Sequence, residues 1–138
     1  MHYFGMTDIG KVRDTNQDHY FVGNLLPDEE EEILLAAVCD GMGGANGGSV
    51  ASKLCVDTYV GEMKKGIAGI IREKLPHDAC ESIMTYAVGC ANRAVYTAAR
   101  EDPSLRGMGT TLVSVLFFRQ TAYIVNVGDS RLYIHTTD

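Results

Sequence analysis

The chain has 138 residues, 46% of them hydrophobic and 22% charged, with a formal net charge of −6. That is enough apolar sequence for one folded domain and too much for a disordered segment. An acidic balance with no cluster of Lys and Arg excludes a nucleic-acid groove, which must neutralise a phosphate backbone. Tyr3 to Gly10 mixes apolar residues with Gly and Thr and reads as a strand ending at a turn; Asp18 to Gly23 reads as a second, rich in aromatic and β-branched residues. Consecutive carboxylates from Asp28 to Glu32 repel one another and mark a solvated loop. Ile33 to Cys39 is an unbroken apolar run stopped by Asp40-Gly41. Such a run suits a strand buried on both faces, and it delivers Asp40 to the end of a sheet.

Two helices follow. From Gly48 to Lys65, Val50, Ala51, Leu54, Cys55 and Thr58 recur at helical spacing. From Asp78 to Arg100, Ile83, Ala87, Cys90, Ala91, Ala94, Val95 and Ala98 form one apolar stripe. Asp78 with Glu81 has the form of a capping box, and Pro76 stands just before it. Gly66 to Leu75 is ambiguous between helix and loop. After Pro103 the period becomes strand-like, with Thr110 to Phe118, Thr121 to Val127 and Arg131 to His135 joined by turns at Arg119-Gln120 and Gly128-Asp129-Ser130. Strands, then two long helices, then strands predict an α+β layered domain with an antiparallel sheet. The chain stops directly after the last of these strands, so an open edge is expected that more chain or another copy would cover.

Cys39, Cys55, Cys80 and Cys90 form no CxxC pair, and no His stands at a zinc-finger spacing from them. Three of them lie in apolar stretches, where a free thiol acts as a small hydrophobe, as suits a reducing cytosol. No apolar run reaches the roughly 18 residues of a membrane span, and no basic start precedes an apolar leader. A cytoplasmic chain that neither crosses a membrane nor leaves the cell is expected.

Four short segments carry chemistry. Asp40-Gly41-Met42-Gly43-Gly44 places a carboxylate at a sheet rim with little side chain around it, so backbone carbonyls can approach a ligand. Magnesium and manganese favour carboxylate, carbonyl and water oxygens. Arg13 to Asp18 offers an Arg able to hold phosphate by a two-pronged, charge-assisted contact. Gly107-Met108-Gly109-Thr110-Thr111 opens a strand, and Gly128-Asp129-Ser130-Arg131 is an acidic tight turn. Each alone is more often ordinary turn chemistry, because Asp and Gly favour turns for conformational reasons.

Taken in order, Arg13 with Asn16-Gln17-Asp18, then DGMGG, GMGTT and VGDSR, the chain resembles the PPM/PP2C family of metal-dependent protein phosphatases in its bacterial style. The resemblance implies residues 1–138 as the amino-terminal portion of one domain, an antiparallel β-sandwich flanked by helices in four α-β-β-α layers, here limited to the first half. It implies manganese or magnesium, two ions and in bacterial members a third. By resemblance Asp40 bridges both metals, the Gly41 carbonyl binds one, and Arg13 holds the phosphate. Asp18 is an acidic position near the metals, acting through bound water, and Asp129 serves the third ion. The implied reaction is hydrolysis of phosphoserine and phosphothreonine in proteins by metal-activated water, with no side-chain nucleophile. Cys39, although adjacent to Asp40, therefore need not act.

The chain departs from the family pattern in three places. Gln17 stands where Glu is common, which removes one acid while keeping a hydrogen-bonding group. Met42 replaces a His that many eukaryotic members use as a proton donor. The later segments that bring two further metal aspartates are absent, so this polypeptide is expected to bind metal weakly and to turn over little alone. The alternative is a non-catalytic half-domain or pseudophosphatase that binds a partner. Self-association through an exposed sheet edge is expected of either.

Overall fold

The computed structural model describes residues 1–44 and 46–137; Ala45 and Asp138 lie outside it. Strand β1 (Asp18–Asn24) pairs antiparallel with β2 (Leu34–Met42), and the acidic run forms the exposed loop between them. Helices α1 (Gly47–Glu73) and α2 (Ala79–Glu101) follow, then a 3-10 turn at Pro103–Leu105. Strands β3 (Gly109–Thr110), β4 (Leu112–Phe118) and β5 (Thr121–Val127) complete the order. The sheet runs β1-β2-β4-β5, with β3 paired to the far end of β2. Among the described residues this gives one antiparallel sheet and one helical layer, which is the α-β half of the expected sandwich.

The helices cover one face only. Leu35, Ala37 and Cys39 on β2 point inward with Leu112, Leu116 and Phe118 on β4, and they pack against Tyr59, Met63 and Ile67 of α1 and Met84, Ala87 and Ala91 of α2. On the opposite face Val38 lies between Tyr20 and Val113 in register and is 44% exposed. The expectation that β2 is buried on both faces is therefore corrected. Its residues alternate, since a strand sends successive side chains to opposite faces and only one face here meets a helix.

Other boundaries shift for local reasons. Helix α1 continues through Gly66 to Glu73, which resolves the ambiguous segment, and ends with Lys74 in the left-handed region at φ 52. The capping box is not formed. Asp78 is itself helical at φ −64, whereas a capping side chain needs an extended residue, and its carboxylate makes no cap bond. The first turn instead closes on backbone, with the Ala79 and Cys80 amides donating to the Pro76 and His77 carbonyls at 3.2 and 3.1 Å. Arg119-Gln120 is the expected hairpin turn, with φ of 49 and 62, the paired positive values of a type I′ turn.

Neither terminal strand is present. Tyr3 to Gly10 forms no ladder; it crosses the open face of the sheet, where Gly5 lies against the Tyr20 ring, and leaves Phe4 85% exposed. Arg131 to His135 is likewise irregular, with Tyr133 79% exposed. Strand-like sequence makes a strand only where a neighbour supplies the hydrogen-bonding ladder. All four cysteines are free, and no helix among the described residues is long and apolar enough to cross a membrane.

Candidate metal centre

The β1–β2 register sets Asp18 directly opposite Asp40. Directly opposed residues of an antiparallel pair project to the same side, so both carboxylates meet at one rim of the sheet. They line a polar cavity of about 210 Å³ with Asp8, Ile9, Arg13, Thr15, Asn16, Gln17 and Gly41. Burial raises the pKa of Asp18, and the charge and hydrogen bond of Asp40 raise it further, while His19 and Arg13 act the other way. Two acids crowded together with a single guanidinium nearby leave a deficit of positive charge.

Gly41 is indispensable to this geometry. A β-carbon there would lie 1.9 Å from the Gly48 carbonyl oxygen and 2.8 Å from that of Gln17. The first turn of α1 thus presses directly onto the Asp40-Gly41 peptide. Thr111, in the segment opening β4, fastens Asp40 from the other side. Its amide donates to the Asp40 carbonyl at 2.9 Å, and its hydroxyl accepts from the Asp40 amide at 3.0 Å. The same hydroxyl meets Ser130 at 2.7 Å, which brings the Gly128-Asp129-Ser130 turn alongside.

The structure brings Arg13, Asp18, Asp40 and Gly41 to one cavity. Asp129 is exposed on the neighbouring turn and does not line it. Among the described residues no three His, Cys, Asp or Glu side chains converge as a metal-holding group. Gln17 turns its amide toward the Gly44 carbonyl at 3.4 Å, over the start of α1. Met42 is exposed and faces a different hollow, between α2 and β3. Cys39 is fully buried, and its hydrogen bond with Cys55 and its burial hold the thiol protonated, well above the usual range. It has neither the exposure nor the charge of a nucleophile.

Sequence reasoning missed three contributors. Asp8 falls within the segment whose pattern predicts a strand, although an Asp two residues before Gly10, accepting that amide at 2.7 Å, is a turn signal. Thr111 lies in the Gly107-to-Thr111 segment, whose pattern alone does not show that its hydroxyl reaches Asp40. Ser52 is wholly buried on α1 and donates to the Gln17 carbonyl at 2.6 Å. A hydroxyl on the apolar stripe of that helix was the available sign.

Residues 11–138 match the family model described as protein phosphatase 2C. The chain belongs to this family. It is 31% identical over 138 residues to the serine/threonine phosphatase stp of Listeria innocua, covering all of this chain and 51% of that protein. A variant of a bacterial serine phosphatase superposes with a TM-score of 0.76 at 32% identity, covering 91% of this chain and 52% of that one. The catalytic domain of the serine/threonine phosphatase PstP, solved with two manganese ions, superposes at 0.68 and 31% identity, covering 88% and 45%. This protein phosphatase 2C chain spans about half the length of the Listeria relatives it matches.

The residues fit a hard divalent cation. The cavity supplies two opposed carboxylates and the approach to backbone oxygen that Gly41 permits, with no thiol or imidazole in its lining.

Proposed function

We propose that this chain is the amino-terminal portion of a phosphatase domain that hydrolyses phosphoserine and phosphothreonine in proteins, targets of an opposing serine/threonine kinase. The observation that carries this is the Asp18–Asp40 pair, opposed across β1 and β2 in one polar cavity with Arg13. Manganese or magnesium bound there supplies an activated water and charge stabilisation. Asp40 and Asp18 hold and orient the cation, with the Gly41 carbonyl beside them, and Asp129 serves a further ion from the adjacent turn. Arg13 binds the phosphoryl oxygens and offsets charge developing on them. Free cysteines, three of them buried, suit a reducing cytoplasm.

Three acids line the cavity, Asp8, Asp18 and Asp40, but among the described residues no three converge as a metal-holding group, so the isolated 138 residues bind cation weakly and turn over little. The same observation favours a second role for the isolated chain, as a non-catalytic half-domain that engages a partner. Phosphate release from a phosphothreonine peptide, with and without manganese, separates the two. The enzyme assignment requires manganese-dependent release by a polypeptide extended to the length of the Listeria relatives, and its loss in Asp40→Asn. An extended polypeptide inactive with manganese leaves the binding role.

A further inference from the structure

The Gln17 carbonyl sits immediately before Asp18 and accepts two hydrogen bonds. The Gly41 amide donates to it at 3.0 Å and the Ser52 hydroxyl at 2.6 Å. One peptide oxygen therefore ties the Arg13–Asp18 segment both to the Asp40-Gly41 turn and to α1, with both lone pairs in use. Ser52 is 0% exposed, so no water replaces its hydroxyl. Behind it, His19 Nδ1 lies 2.8 Å from the Ser52 oxygen.

Proton counting fixes the direction of this chain. Ser52 has one hydroxyl hydrogen and two carbonyls within reach, Gln17 at 2.6 Å and Ser49 at 3.3 Å. Either choice consumes the hydrogen, so the Ser52 oxygen must accept from His19. His19 thus carries a proton on Nδ1, and its ring is held by that bond.

We infer that Ser52, backed by His19, is a positioning residue that sets the separation of Asp18 and Asp40, and that its loss weakens cation binding without unfolding the chain. This rests on reading those carboxylates as cation ligands. Groups that orient ligands without touching the metal commonly change affinity roughly 10- to 100-fold when removed.

The test uses the 138-residue chain with Ser52→Ala, His19→Phe and His19→Asn. Manganese binding is followed by the electron paramagnetic resonance signal of the free ion. Amide hydrogen exchange at Gly41 and the ¹⁵N resonances of the His19 ring are read in parallel. Ser52→Ala and His19→Phe should each weaken manganese binding about tenfold or more and speed exchange at Gly41, while core amides of β4 stay protected. His19→Asn should restore both, because the Asn amide nitrogen takes the place of Nδ1. Wild type should show the Nδ1–H tautomer at His19, and Ser52→Ala should lose it.

A folded Ser52→Ala with unchanged manganese affinity and unchanged Gly41 exchange overturns the inference, as does an Nε2–H tautomer in wild type. If wild type takes up no manganese, even in a polypeptide extended to the length of the Listeria relatives, but Gly41 exchange responds as stated, the positioning bond stands and the cation assignment fails.

Discussion

Asp18, proposed to hold a cation, carries a cost of its own in the folded chain. Burial and the facing Asp40 raise its pKa above the ordinary 3.8. A raised folded-state value means that the stability linked to this group is present below the ordinary carboxylate range and is lost as pH rises through the raised value. At neutral pH the metal-free pair is therefore a destabilising contact. Asp18→Asn should raise the thermal midpoint of the metal-free chain at pH 7, and the gain should shrink to nothing as pH falls below the ordinary value. A lower midpoint for the variant at pH 7 would contradict this account of the pair. Manganese should reverse the ranking, because the wild-type pair then has a countercharge. At a hundredfold excess over its dissociation constant, a ligand specific to the folded state stabilises by about 2.7 kcal/mol. Calorimetry with Asp40→Asn should find that gain abolished.

Helix α1 carries the element-scale logic of the fold, since it must lie on the sheet, on α2 and on the Asp40-Gly41 turn together. Its interior glycines differ in what they face. A β-carbon at Gly61 or Gly69 meets nothing within 4 Å, whereas one at Gly66 would lie 2.4 Å from the Ile83 side chain on α2. Glycine in a helix interior costs about 0.5–1 kcal/mol relative to alanine. Gly61→Ala and Gly69→Ala should each stabilise by roughly that amount in urea unfolding. Gly66→Ala should not, and should recover the gain only when Ile83 is trimmed to Ala in the same chain. Equal stabilisation at all three sites would mean that Gly66 is not the close-packing point between the helices.

The same elements explain what was legible beforehand. Both helices and strands β1, β2, β4 and β5 announce themselves through period and punctuation, which are properties of a segment alone. Asp18 opens β1 and Asp40 lies near the end of β2, but Arg13, Asp18 and Asp40 could be named only through the resemblance that the four motifs carry together. Tyr3 to Gly10 and Arg131 to His135 misled because a strand depends on a neighbour that no local pattern encodes. Ser52 and Thr111 stayed hidden for a similar reason. Their partners are 35 and 71 residues away in sequence, and only the packing of α1 and β4 against β2 brings them to the site.

At the scale of the whole molecule, the sheet is covered on one face and open on the other. Tyr20, Val38 and Ile124 are exposed there, and the segment carrying Phe4 and Met6 crosses it without burying its own apolar residues. Contiguous exposed apolar surface on a sheet is seldom left in water, and the edges β1 and β5 still offer unpaired backbone groups. A polypeptide of these residues alone has another copy of itself as the available cover. Pairing two such faces about a twofold axis buries the same residues on each partner. Light scattering after size exclusion should therefore give a mass that rises toward the dimer with concentration. The double substitution Val38→Lys and Ile124→Lys places charge on β2 and β5 of that face and should return the chain to monomer with an unchanged circular dichroism spectrum. A wild-type chain that stays monomeric across the accessible concentrations would show that the open face is tolerated in water, and that the crossing amino-terminal segment is cover enough.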